Sequence, residues 1–356
     1  MKLASPPPGE APKNKPASDS AASKELDVLV KKLEKENIFS GNVLVAKNRK
    51  IIFHKAYGLA SKEYLYPNKL STKFIIGSIN KMFTATGILQ LVEQNKISLE
   101  DSVSKLLPGV LADSIARKIK IKYLLTHTSG LGDFLFTDKM REKSKDYFRT
   151  IADYLPALAN DTLLFEPETN WRYSNTGFLV LGAILEKVSG LHYEEYMKKN
   201  IYQPAGMVST FFPELDNVNQ GLADTYEKDY LTGKPVFHNT RYIQVIKGTP
   251  AGGGFSTCTD LFNFMQALDA GKLLRPETVH QMQSAKPEMH SPNYGYGMEI
   301  FDTNSFGHTG GGPGTYAWVK ADRKTGLIII VLGNTNTGTN IVVRTAQELF
   351  LKKMGK

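Results

Sequence analysis

Apolar residues recur at helical spacing in the first patterned stretch of the chain. The apolar positions within residues 24–36, set in a charged background, are Leu26, Leu29, Val30 and Leu33. Their spacing predicts an amphipathic helix over 24–36. Residues 1–22 are rich in Pro, Ala, Ser and Lys and contain a single leucine. Because such a segment cannot bury enough apolar surface to order itself, we predict a flexible tail over 1–22.

Apolar and β-branched runs lie near both ends of the chain, whereas helical patterns fill the middle. The runs predict strands at 42–47, 51–58, 316–320 and 327–333, the first two joined as a hairpin. Further helices are predicted at 78–92, 177–188, 261–268 and 340–353. This order predicts an α/β (α+β) fold with one sheet formed from both ends of the chain and a mostly helical insertion. We predict a sheet domain of residues 23–75 plus 246–356 and a helical domain of residues 76–245.

Composition narrows the classes of partner. The 356-residue chain carries a net charge of +9 from scattered basic residues without interleaved aromatic side chains, so we predict no nucleic-acid partner. Its single cysteine, Cys258, excludes an intrachain disulfide and a thiolate metal site. No apolar run reaches the length of a transmembrane segment, and the start of the chain has no apolar signal segment. The tail favours a periplasmic or secreted protein that has lost its signal or is tethered, and a cytoplasmic location is the alternative.

Ser78 and Lys81 open the apolar run that continues to about Val92. On a helix, positions i and i+3 lie on one face, so the lysine amine can reach the serine hydroxyl. An amine that takes the hydroxyl proton makes the serine a nucleophile for acyl transfer. The structural alternative is a serine N-cap followed by a solvated lysine, and these two residues taken alone favour it.

Tyr173 and Asn175 stand immediately before a predicted helix and offer partners for this pair. A tyrosine phenol becomes a base only where a neighbouring cation such as Lys81 stabilises the phenolate. The amide of Asn175 can hold both a lysine and a substrate carbonyl. An aromatic residue at a helix start is the structural interpretation of Tyr173.

A glycine-rich stretch between two predicted strands contains His308, Gly310 and Gly311. Glycines allow a substrate to approach the backbone of an edge strand and expose N–H groups to an oxyanion. A glycine-rich strand connection is the structural alternative. His127 is interpreted as structural, with a His127–Ser129 hydrolase pair ranked low. No motif has metal-ligand spacing, and Gly252–Gly254 lacks the residues of a phosphate loop, so we predict no metal and no organic cofactor.

The order Ser78-x-x-Lys81, Tyr173-x-Asn175 and His308-Thr309-Gly310 resembles the penicillin-recognising serine hydrolases. The Tyr-x-Asn motif resembles the branch that holds class C β-lactamases, D-alanyl-D-alanine carboxypeptidases, D-aminopeptidases and β-lactamase-like esterases. The resemblance covers roughly residues 25–350. It implies a β-lactamase-like fold, with an antiparallel sheet flanked by helices and an active site in the cleft between the two predicted domains.

The resemblance also implies a role for each residue. Ser78 is expected to be the acylated nucleophile, and Lys81 and Tyr173 are expected to share the task of general base. Asn175 is expected to hold Lys81 and the acyl carbonyl. His308 and Gly310 are expected to contribute to substrate binding. The backbone N–H groups of Ser78 and Gly311 are expected to form the oxyanion hole.

His308 departs from the pattern, because this branch usually has a lysine there. A histidine is mostly neutral at pH 7 and holds a substrate carboxylate less firmly. We therefore predict a carboxylesterase-like hydrolase of small uncharged acyl esters with weak β-lactam hydrolysis. The alternatives are a D-amino-acid amidase or peptidase, a D-Ala-D-Ala carboxypeptidase or β-lactamase of the cell envelope, and a non-catalytic penicillin-binding receptor or scaffold. The partner is a small ester, amide or β-lactam, and no oligomeric state is predicted.

Overall fold

The computed structural model describes residues 15–158, 162–229 and 236–351. The strands are β1 Gly41–Lys47, β2 Lys50–Tyr57, β3 Leu59–Ser61, β4 Tyr66–Pro67, β5 Phe74–Ile75, β6 Tyr226–Asp229, β7 Val236–Asn239, β8 Phe255–Ser256, β9 Glu299–Ile300, β10 Ser305–Gly312, β11 Thr315–Asp322 and β12 Leu327–Gly333. The α-helices are α1 Lys15–Lys35, α2 Asn80–Glu93, α3 Val103–Leu106, α4 Asp113–Ala116, α5 Ile121–Leu125, α6 Asp138–Glu142, α7 Ile151–Tyr154, α8 Asn175–Ser189, α9 Tyr193–Met197, α10 Gln203–Ala205, α11 Cys258–Asp269, α12 Pro276–Met282 and α13 Thr339–Leu351.

A six-stranded antiparallel sheet joins the two ends of the chain. Its strand order is β2-β1-β12-β11-β10-β9, so the N-terminal hairpin pairs directly with the last strand. Smaller two-stranded pairs are β3 with β4, β5 with β8, and β6 with β7. The predicted fold class, an antiparallel sheet from both chain ends flanked by helices, is confirmed.

Both faces of the sheet are covered, which explains why β12 is a continuous apolar run rather than an alternating one. Leu327, Ile329 and Val331 pack in one buried cluster with apolar residues of α1 and α13. Ile330 and Leu332 point to the opposite face and join the larger cluster that includes α2, α8 and α11. That larger cluster contains residues from both predicted domains. The division into two domains stays a prediction.

The first helix begins earlier than the apolar pattern indicated. Residues 15–22 were predicted to be part of a flexible tail, and that prediction is wrong because α1 starts at Lys15. Ala22 is 1% exposed, Asp19 lies 3.3 Å from the Lys47 amine, and the Ser23 hydroxyl donates to the Ile52 carbonyl. The polar contacts of Asp19 and Ser23 therefore help to hold this part of α1 in place. Residues 1–14 of the predicted tail lie outside the described residues.

The other predicted helices and strands agree closely with the structure, which also contains elements that the sequence pattern did not predict. The predicted helices at 177–188 and 261–268 are α8 and α11, each slightly longer at both ends. The helix predicted at 340–353 is α13, of which residues 352 and 353 lie outside the described range. The pattern did not predict the β6–β7 pair, which interrupts the helical middle, or the short strands β3, β4, β5, β8 and β9. The glycine-rich stretch that was open to interpretation as a connection forms the eight-residue strand β10.

Candidate active site

Ser78 lies in a tight 3₁₀ turn, Gly77–Ile79, that leads directly into α2. Gly77 has φ +51°, and a Cβ there would lie 2.8 Å from the Gly311 nitrogen. A Cβ on Gly310 would lie 1.9 Å from the Ile76 carbonyl oxygen. Glycine is therefore required on both sides of this contact, because β10 and the turn touch backbone to backbone. Ile79, not Ser78, is the N-cap residue of α2, so the interpretation of Ser78 as a simple helix cap is wrong.

Lys81 is completely buried one turn further along, with its amine directed at the serine. Its Nζ lies 3.1 Å from Ser78 Oγ and donates to Asn175 Oδ1 at 2.7 Å and to the Ala251 carbonyl. Burial lowers the pKa of Lys81 to about 7, although the carboxylates of Asp133 and Glu299 act in the opposite direction. A substantial fraction of the amine is therefore neutral near pH 7 and able to accept a proton from Ser78.

Asn175 is the first residue of α8 and links the lysine to a carboxylate. Its Nδ2 donates to Asp133 Oδ2 at 2.7 Å, while its Oδ1 accepts from Lys81. Since a carboxylate only accepts, this contact fixes which way the amide faces. The preceding residue, Ser174, caps the helix by accepting from the Gly177 N–H. Asp133 thus orients Asn175 and places a negative charge close to Lys81.

Tyr173 lies beside the serine and the lysine. Its ring centroid is 4.8 Å from Lys81 Nζ, and its hydroxyl is hydrogen-bonded to Ser78. Burial, together with the charges of Asp133 and Glu299, raises the pKa of Tyr173 above its usual value. The phenol is therefore neutral near pH 7, unlike the phenolate that a basic role requires.

His127 supports the back of Tyr173. The two rings are 4.1 Å apart between centroids, and His127 Nδ1 accepts the N–H of Ser174 at 3.1 Å. Burial lowers the pKa of His127 well below its usual value, with Lys81 and His308 adding to the effect. Ser129 is 1% exposed, and its hydroxyl accepts from the Leu131 N–H. Nδ1 of His127 is engaged with Ser174, and its Nε2 is buried without a hydrogen-bond partner among the described residues, so the structure offers no support for a His127–Ser129 pair.

His308 is fully buried in β10, and both of its ring nitrogens contact protein groups. Nδ1 lies 2.6 Å from the Thr309 carbonyl oxygen and 3.5 Å from Glu299 Oε1, so it carries the proton. Nε2 therefore accepts from the Tyr294 hydroxyl at 2.8 Å. Burial lowers the pKa of His308, which is thus neutral near pH 7. The His308 side chain was expected to contribute to substrate binding, whereas in the structure its ring is fully buried.

The backbone of β10 continues past the histidine to the two glycines. Gly310 is buried against the serine turn, and Gly311 is exposed at its rim. The proximity of the Gly311 nitrogen to Gly77 brings its N–H near that of Ser78. The predicted site residues Ser78, Lys81, Tyr173, Asn175, Gly310 and Gly311 are thus gathered around one point, and His308 lies behind them.

Four groups at this site were missed by sequence reasoning: the Asp133 carboxylate, the Ala251 carbonyl, Tyr294 and Glu299. The sequence analysis assigned a role to none of these four residues. Asp133 follows the turn around His127 by six positions, and nothing in its local pattern distinguishes it from a surface aspartate. Cys258 is buried, and burial raises the pKa of its thiol.

Comparison with known proteins now decides the family. The profile of the beta-lactamase family matches residues 26–352. The chain belongs to the beta-lactamase family. Penicillin-binding protein 4* of Bacillus subtilis strain 168 is 31% identical over 318 residues, which cover 82% of this chain and 67% of that protein.

Two solved structures are similar to this beta-lactamase-family protein over most of its length. A penicillin-binding protein from Bacillus halodurans has a TM-score of 0.80 at 26% identity and covers 93% of this chain and 98% of its own. A D-stereospecific amidohydrolase from a Streptomyces species has a TM-score of 0.74 at 25% identity, with coverage of 94% and 99%. The family and these neighbours make the protein a serine hydrolase of the beta-lactamase family.

Two further observations concern the described residues. None of the helices in that part of the chain combines the length and apolar composition needed to cross a membrane. Within the same ranges, His, Cys, Asp and Glu side chains form no group able to hold a metal ion.

Proposed function

We propose that this beta-lactamase-family hydrolase forms an acyl-enzyme on Ser78 and acts on small esters with uncharged acyl groups. The observation that carries the proposal is the buried Lys81 amine, 3.1 Å from Ser78 Oγ, with its pKa lowered to about 7. Two further contacts hold this amine in place, from Asn175 and Ala251. A base poised near the working pH and directed at a hydroxyl is what nucleophilic acyl transfer requires.

In the proposed first step, neutral Lys81 takes the Ser78 proton as Oγ attacks the acyl carbonyl carbon. The carbonyl oxygen becomes an oxyanion, which the N–H groups of Ser78 and Gly311 bind. The ester C–O bond then breaks, and the leaving alkoxide receives the proton from Lys81 through the Tyr173 hydroxyl. In the second step a water molecule attacks the carbonyl carbon of the acyl-enzyme and gives a proton to Lys81. Lys81 returns that proton to Ser78 Oγ as the acyl–Oγ bond breaks, which releases the acid and restores Ser78 and neutral Lys81.

The proposed division of labour makes Lys81 the base and Tyr173 a neutral proton relay. The raised pKa of Tyr173 supports this assignment over one in which the two residues share the basic role. Asn175, oriented by Asp133, holds Lys81 and has a second amide hydrogen for the acyl carbonyl.

The proposed discrimination against substrates that carry a carboxylate rests on the surroundings of His308. Its ring is neutral, buried and engaged at both nitrogens, so it offers no cation to a carboxylate. The Thr309 hydroxyl donates to Glu299 at 2.7 Å and is likewise occupied. A substrate carboxylate would therefore meet a negative side chain where the related lysine would supply a positive one.

Comparing p-nitrophenyl butyrate with a cephalosporin tests the proposal. We expect a higher kcat/KM for the ester than for the cephalosporin. Ser78→Ala is expected to lose all turnover and, unlike the wild type, to show no mass increase after treatment with a fluorophosphonate. Ser129→Ala is the matched control, since that serine lies nearby with its hydroxyl engaged. A mass unchanged by both the fluorophosphonate and a penicillin would exclude the acyl-enzyme and favour a non-catalytic receptor. Faster opening of the cephalosporin would refute the ester preference.

Hydrolysis of D-amino-acid amides is the second candidate. It is supported by the 25% identity to the Streptomyces D-stereospecific amidohydrolase over nearly the whole chain. The carboxylates of Asp133 and Glu299 close to Lys81 also suit a substrate with a free ammonium group. Assaying D-alanine p-nitroanilide beside p-nitrophenyl butyrate separates the two candidates, because an amidase would retain a D-over-L preference on the anilide.

A further inference from the structure

Strand β10 has a free edge beside the serine. The short strand β9 pairs with β10 only at Phe306 and Gly307, and beyond that point the described residues form no further strand on that side. Gly311 and Gly312 are exposed. An extended substrate can therefore lie along this edge, with its reacting carbonyl at Gly311 and one end directed toward Thr309.

Glu299 marks the place where this free edge begins. Its carboxylate accepts the Thr309 hydroxyl at 2.7 Å and lies 3.5 Å from His308 Nδ1. The side chain is 23% exposed, so it is partly accessible to solvent and not sealed within the core. Adjacent residues in a strand are separated by about 3.3 Å, which puts Thr309 about two residue spacings, or roughly 7 Å, from Gly311. A charged leaving group that extends along the edge from Gly311 toward Thr309 would therefore come close to the carboxylate that Thr309 contacts.

The charges that act on the reacting groups make the site negative. Glu299 and Asp133 both act electrostatically on Lys81 and on Tyr173, and His308 between them is neutral. At separations of several ångströms in a partly exposed cleft, a single unit charge changes binding by on the order of tenfold. The two negative carboxylates, Glu299 and Asp133, are therefore expected to favour cationic over anionic substrates.

We propose that Glu299 is a specificity-determining residue that favours substrates with a cationic leaving group and disfavours those with an anionic one. This inference rests on the proposed acyl transfer at Ser78 and adds the charge of the leaving group to it. The Thr309 hydroxyl, which would otherwise be available to a substrate carboxylate, is held by Glu299. The residue thus acts in two ways, by repelling an anion and by occupying a donor that the anion would need.

Three butyryl thioesters that differ in leaving-group charge test the inference. Butyrylthiocholine is cationic, the 3,3-dimethylbutyl thioester is its neutral isostere, and the 3-mercaptopropionate thioester is anionic. Ellman's reagent reports the released thiol, and Cys258 does not interfere because it is buried. We expect the wild type to prefer the cation over the anion by more than tenfold in kcat/KM, and Glu299→Gln to reduce that ratio about tenfold. High salt is expected to weaken the wild-type preference by screening.

Glu277→Gln is the control, because it removes the same charge from an exposed position at the start of α12. It is expected to keep the wild-type ratio. An unchanged ratio in Glu299→Gln, or a wild-type preference for the anionic thioester, would overturn the inference while leaving acyl transfer intact. Absence of turnover of the neutral thioester, together with absence of fluorophosphonate labelling, would instead refute the proposed function and the inference with it.

Discussion

The pH dependence of turnover follows directly from the burial of Lys81. An unperturbed lysine, with a pKa near 10.5, is neutral in about one molecule in 3,000 at pH 7. With its pKa lowered to about 7, Lys81 is neutral in roughly half of the molecules at that pH. Burial therefore increases the reactive fraction by about three orders of magnitude. The carboxylates of Asp133 and Glu299 prevent the pKa from falling further.

If neutral Lys81 is the base, kcat/KM must rise with pH and level off above the lysine pKa. The neutral fraction is about one tenth at pH 6 and one hundredth at pH 5, so we expect a tenfold loss per pH unit below about pH 7. Above about pH 8 the rate is expected to be constant. Because Tyr173 has its pKa raised by burial, its phenol is not expected to titrate within this range.

The measurement is kcat/KM for a butyryl thioester between pH 5 and 9 at constant ionic strength. Circular dichroism at each pH serves as the control that the fold persists, and Ser129→Ala is expected to give the same profile. A flat profile from pH 5 to 7 would show that Lys81 does not need to lose a proton. A rate that still rises tenfold per pH unit between pH 8 and 9 would show that a phenolate, and hence Tyr173, is the base. Either result would refute the assignment of Lys81 as the general base.

Three other predictions test the same site. Tyr173→Phe should lower kcat by roughly a hundredfold or more with little change in KM, and a loss confined to KM would indicate a structural tyrosine. Gly310→Ala should lower the free energy of unfolding by about 3 kcal/mol, because the added Cβ would overlap the Ile76 carbonyl. Gly132→Ala is the control: a Cβ there meets nothing within 4 Å, so urea unfolding should give the wild-type stability. Lys81 binds its proton more weakly in the folded state than in the unfolded state. The free energy of unfolding of the wild type relative to that of Lys81→Met should therefore rise by up to about 5 kcal/mol between pH 7 and 10.5. A difference that stays constant over this range would contradict the prediction.

Elements with strong periodic patterns were predictable because their burial is complete. Strand β12 is apolar on both faces, and α8 has apolar residues through nearly its whole length. The start of α1 was not predictable, since residues 19–22 contribute only the small side chain of Ala22 to the core. Strand β10 was ambiguous for a related reason: its glycines are required by contact with the serine turn, and a glycine-rich strand has the composition of a loop.

The site shows the same contrast between local and distant contacts. Ser78 and Lys81 were predictable as a pair because three positions on a helical turn bring them together. The partners of Lys81 lie 94 positions away at Asn175 and 170 at Ala251, so only the resemblance to a family could connect them. Asp133 escaped notice because its importance comes from contacts with Asn175, which lies 42 positions away.

Burial, which no local pattern reports, decides the chemistry of these residues. The sequence analysis assigned the basic role jointly to Lys81 and Tyr173, since both residue types can accept a proton when suitably charged neighbours are present. Burial disfavours the charged form of each group, and the charged forms are opposite in kind: the lysine is charged with its proton, and the tyrosine without it. The same apolar surroundings therefore lower the pKa of Lys81 and raise that of Tyr173, making one a better base and the other a worse one. The same burial thus supports the proposed roles, with Lys81 as the base and Tyr173 as the proton relay.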